Sequence, residues 1–137
     1  MSLGFWQRVL LALVLLMIIG LIPELVLLEH YEEWQQLIPL VLLGAALLST
    51  VLFWLVPRRA VLALFRTVMV LCFASALLGL YFHYQANVEF VLERHPEYRG
   101  WQLFKEAMTG GMPALAPGTM AQLALMGLAA TLRPRSA

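Results

Sequence analysis

The sequence predicts an all-α membrane protein: a four-transmembrane-helix bundle, its third helix extended beyond the bilayer and a short amphipathic interfacial helix before the fourth. Three observations lead there. Apolar residues make up 62% of the 137 residues and charged ones only 12%, against roughly 45–50% and roughly 25% in soluble domains. Four apolar runs are long enough to cross about 30 Å of hydrocarbon as helices of about 20 residues. The charges between those runs sort onto two sides.

The whole chain, residues 1–137, reads as a single integral membrane domain. Its first span covers about residues 9–28. Pro23-Glu24 interrupts this run, and a proline inside a helix removes a backbone donor. The preferred reading is a kinked helix that continues to Leu28; the alternative is a stop at Ile22, with residues 25–28 in the interface. A cleaved signal peptide is the competing reading of residues 1–22, but no small-x-small site follows them, so a retained helix is expected.

The second span, residues 37–56, carries no charge. The third, residues 60–82, holds one, Arg66, close enough to the end to snorkel. The fourth, residues 112–132, is uncharged, with Pro113 and Pro117 near its start, where a first turn tolerates proline.

Basic residues near span ends stay in the cytoplasm. Arg8, Arg58, Arg59, Arg66, Arg133 and Arg135 share one side, which puts both termini inside; only Arg94, Arg99 and Lys105 fall on the other. All eight acidic residues (Glu24, Glu29, Glu32, Glu33, Glu89, Glu93, Glu97 and Glu106) and all three histidines belong to that outer side. Aromatic rings that prefer the interfaces agree: Trp6, Trp54 and Phe65 inside; Tyr31, Trp34, Tyr81, Tyr84, Tyr98 and Trp101 outside. The excess of arginine over lysine hints at a GC-rich bacterial genome, hence a bacterial cytoplasmic membrane.

Two outer segments remain, residues 29–36 and 83–111. No helix breaker occurs in residues 83–95, so the third helix should run on until Pro96 ends it at His95. Residues 101–108 then form a short amphipathic turn with Trp101, Phe104 and Met108 on one face and Lys105 and Glu106 on the other. Gly110-Gly111 stops it, and it should lie flat on the outer surface. Small residues four apart, Ala45/Ser49, Ser75/Gly79 and Gly127/Thr131, offer close helix contacts.

The residues that could carry chemistry lie in those outer segments. His83, Asn87 and Arg94 share one face of the extended helix, and Glu89 and Glu93 stack four apart on the adjoining one. Such a carboxylate pair repels unless an arginine, a proton or a metal neutralises it, and carboxylates with imidazoles suit a borderline or hard divalent cation. The candidate metal ligands are therefore His83, Glu89, Glu93, His95 and His30. His83 and His95 are about 120° out of phase, so a site must recruit His30 or Glu33 from the first outer loop. The alternative is that Glu89 and Glu93 form a solvated helix face. Glu24 and His83 are further candidates because ionisable groups at membrane depth are often functional. For Glu24 a place among the headgroups is favoured.

Much is also excluded. A net charge of +1 and the lack of a basic stretch exclude a nucleic-acid reading. There is no phosphate loop, Cys-x-x-Cys, His-Glu-x-x-His or Gly-x-Ser-x-Gly, and the one cysteine, Cys72, cannot form an intrachain disulfide. The histidines are placed wrongly for a haem held between spans. Ser49, Thr50, Thr67 and Ser75 should bond to carbonyls one turn back. The leading expectation is a non-enzymatic accessory or structural subunit of a membrane assembly, partnered by lipid and by copies of itself or other subunits. The alternatives are an outer-face metal- or proton-handling site, with a divalent ion as cofactor, and a small transporter or channel.

Overall fold

The computed structural model describes residues 3–111 and 113–132. Five helices and no strand occur among the described residues: α1 Phe5–Leu27, α2 Trp34–Leu55, α3 Arg59–Arg94, α4 Gly100–Met108 and α5 Gly118–Ala129. Helices α1, α2 and α3 are each long and apolar enough to cross a membrane. Helix α1 packs on α2 and α5, and α3 packs on α2, α4 and α5. The contacts thus close a ring in the order α1, α2, α3, α5, with α4 attached to α3 outside it.

Helix α1 runs through Pro23 and ends four residues later, as the continuous reading of this segment requires. Its end is a Schellman turn. The His30 N–H donates to the Leu25 carbonyl at 2.9 Å and the Glu29 N–H to Val26 at 3.0 Å. This turn needs a left-handed residue, and Glu29 supplies it at φ 54° although it is not glycine. Three residues on, a capping arrangement starts α2: the Gln36 Oε1 accepts from the N–H groups of Glu32 and Glu33 at 2.9 and 3.1 Å. The short loop carrying His30 is therefore fastened at both ends.

Helix α3 has 36 residues, about 54 Å at 1.5 Å per residue. It ends where Pro96 dictates, with His95 as its C-cap. Helix α4 occupies the segment read as amphipathic, one residue longer at its start.

The fourth apolar run differs from its expected span of residues 112–132. Regular α-helix covers only the 12 residues of α5. Pro113 and Pro117 lack N–H donors, so the approach uses tighter three-residue turns: Ala116 N–H to Pro113 at 3.0 Å, Gly118 N–H to Leu115 at 2.9 Å. The run closes similarly, with Thr131 N–H to Leu128 at 3.0 Å. Met112, Arg133 and Arg135, on which part of the sequence expectation rested, lie outside the described residues.

The core gathers Leu11, Val14 and Ile18 of α1, Leu43, Ala46 and Phe53 of α2, Phe65, Met69, Cys72 and Ala76 of α3, and Leu123 and Ala124 of α5. Phe65 corrects a sequence expectation. It is no interfacial ring but fully buried, stacked on Phe53 with centroids 5.2 Å apart. The reason is helical phase: Phe65, Met69, Cys72 and Ala76 recur at steps of four, three and four and share one face.

Two of the small-residue pairs lie at the α3–α5 contact. A Cβ on Gly127 would collide with Met69 Sδ and sit 3.3 Å from Phe65 Cζ; one on Gly79 would meet Pro117 Cβ at 3.0 Å. Small residues let the two backbones close up, which in lipid is where packing energy comes from. Ser49 and Thr50 both bond back to the Ala46 carbonyl, at 3.2 and 2.6 Å, as their positions inside α2 predict.

Candidate functional site

The chemistry-bearing side chains collect at the end holding the α1–α2 loop, the C-terminal half of α3, and α4. Of the five predicted ligands, the structure brings two together. His30, presented by the fastened loop, lies beside His83 of α3 with ring centroids 6.3 Å apart and planes tilted by 47°. His83 Nδ1 is 3.2 Å from the Pro113 carbonyl. A carbonyl only accepts, so Nδ1 is the donor, and in the neutral ring Nε2 is then the nitrogen with the lone pair. Three segments meet here: the loop, α3, and the lead into α5. Burial, and next the neighbouring His83, pull the His30 pKa below the ordinary histidine value of 6.5.

The other three candidates go elsewhere. His95 stacks on Tyr98 at 4.5 Å and places Nδ1 3.4 Å from Glu97 Oε1. Glu89 and Glu93 are exposed on the outer flank of α3, the arrangement of a solvated helix face. Among the described residues no three His, Cys, Asp or Glu side chains converge to hold a metal ion. Glu24 is exposed near the end of α1.

Asn87 and Arg94 share the His83 face, as the helical phase requires. Asn87 is buried under Gly110, and Arg94 lays its guanidinium 4.2 Å above the Phe90 ring. Beside them a cleft of about 170 Å³ separates α3 from α4, lined in part by Val91, Arg94, Glu106 and Thr109. Helix α4 turns Ala107 inward. Its Trp101 and Phe104 stack at 5.3 Å and Phe104 reaches Tyr84 at 5.9 Å, while Trp101 stays 75% exposed.

At the opposite end, polar residues do something that sequence reasoning missed. Arg66 was expected to snorkel. Its Nε donates to Thr131 Oγ1 at 3.0 Å and a terminal nitrogen to the Thr131 carbonyl at 3.2 Å, a partner the snorkelling expectation did not name. Gln7 Nε2, from α1, donates to the Ala130 carbonyl at 3.0 Å. The last carbonyls of a helix have no partner within it and carry its negative dipole end, so an amide and a guanidinium from two neighbours satisfy both needs. A lone arginine in an apolar run was the only sequence signal.

No family model matches this sequence, and neither a curated protein nor a solved structure matches it.

Proposed function

We propose that the protein is a small, non-enzymatic multi-pass subunit of a membrane assembly. In this reading the chain crosses a bacterial cytoplasmic membrane four times, with both ends inside. The fourth crossing combines the proline turns, α5 and the turn after it, since α5 alone spans only about 18 Å. Helix α3 outgrows the roughly 30 Å hydrocarbon layer and carries α4 to the outer surface.

The observation that carries the assembly role is the surface of α1. Only Leu11, Val14 and Ile18 of its 23 residues are fully buried, and Leu13, Leu16 and Ile19 face away from the ring. A span so little covered by its own chain has a whole flank for a neighbouring helix, and close packing between helices is what lipid rewards. At the other extreme of the molecule, α4 and the start of α2 display Trp101 and Trp34 to their surroundings.

Mild detergent extraction followed by native-size separation tests this. A discrete species larger than the 15.4 kDa chain is expected, lost when Leu16 and Ile19 are both changed to Trp. A monodisperse monomer from native membranes overturns the reading.

A further inference from the structure

The facing imidazoles at the loop end have a use that the assembly role does not require. We propose that His30 and His83 form a two-imidazole site for an exchangeable transition ion of the Cu²⁺ class.

Three observations converge on it. First, the spacing is right. With metal–nitrogen bonds of about 2.0–2.1 Å, two imidazoles on one ion hold their centroids about 5 to 6.4 Å apart, according to the angle at the metal. The observed 6.3 Å matches two nitrogens on nearly opposite sides of the ion, the trans arrangement of a square-planar Cu²⁺ site, and exceeds the roughly 5 Å of a tetrahedral Zn²⁺ site. Second, the ring of His83 is set up as ligating histidines are. Such residues donate their other ring N–H to a carbonyl or carboxylate, which fixes the tautomer and the ring plane. The Pro113 carbonyl takes that proton from Nδ1, so Nε2 is the nitrogen offered. Third, His30 is held on a preorganised support. The Schellman turn on one side and the Gln36 cap on the other fix the backbone of a loop of only six residues between α1 and α2, so the loop need not be ordered when the ion arrives.

The donors set the ion class. Two neutral nitrogens with no thiolate and no converging carboxylate suit copper or zinc and disfavour magnesium, calcium and manganese. Cu²⁺ binds more tightly than Zn²⁺ at such a site on general grounds. Two protein ligands leave the remaining positions to water, so the ion exchanges rather than supporting the fold. Exposed Glu29, Glu32 and Glu33 lie in the same loop and raise the local cation concentration.

The test uses the full chain in detergent or nanodiscs, freed of any histidine tag and titrated with CuCl₂ alone. One Cu²⁺ per chain is expected, its electron paramagnetic resonance spectrum showing nitrogen splitting. His30→Ala leaves the His83–Pro113 hydrogen bond in place and should weaken binding at least tenfold. His83→Ala should do the same, and His95→Ala should change nothing. Circular dichroism and elution volume confirm that each variant folds. Absence of stoichiometric Cu²⁺, equal affinity in folded His30→Ala, or loss of binding in His95→Ala each overturns the proposal.

Discussion

At the scale of single residues, the loop around His30 is held by a turn on one side and a cap on the other. Glu29 holds a left-handed conformation that costs an L-residue about 1–2 kcal/mol and glycine almost nothing. Glu29→Gly should therefore raise thermal stability in detergent by about 1 kcal/mol of unfolding free energy, while Glu29→Val should lower it. A reversed order would show that the turn is not what ends α1.

His30 itself links folding to pH. Its folded pKa is depressed, so below pH 6.5 the unfolded chain takes up the proton first and the folded state loses stability as pH falls. Metal-free protein, kept in chelator, should melt earlier on acidification from neutral pH, and His30→Gln should remove part of that dependence. An unchanged pH profile in the variant would assign it to other groups.

At the scale of elements, what was legible in the residues divides along a physical line. Properties that one helix decides by itself could be read: the end of α3 before Pro96, the back-bonding of Ser49 and Thr50, the phase that puts Asn87 on the His83 face. Properties that need two helices could not. Phe65 obeys the rule for interfacial rings by its position in the chain, yet its phase turns it onto Phe53. The same holds for the site. Five residues of suitable chemistry were visible, but only packing of the loop against α3 chooses His30 as the neighbour of His83 and leaves Glu89 and Glu93 exposed.

The α3–α5 contact shows what that packing depends on. Gly127→Leu must push into Met69 and Phe65, and such overpacking costs about 1–3 kcal/mol. Adding Met69→Ala should recover part of the loss, because it removes the colliding sulfur. Equal stability of the two Gly127→Leu variants, measured by thermal unfolding, would place the damage elsewhere.

At the scale of the whole molecule, orientation is the property most open to direct measurement. A phosphatase reporter active only outside the cytoplasm should be silent when fused after Ala137 and active when inserted at Glu97; a fluorescent protein that folds only inside should give the opposite pattern. Activity of the phosphatase at the C-terminus would remove the four-crossing scheme, whereas the helix contacts would stand.

The clasp of Gln7 on the Ala130 carbonyl joins positions 123 residues apart. During synthesis the Nε2 donor of Gln7 therefore has no Ala130 carbonyl to meet until that residue has been added. A product cut short before that point would leave the start of α1 untied from the end of α5, so this clasp closes the ring of helices last.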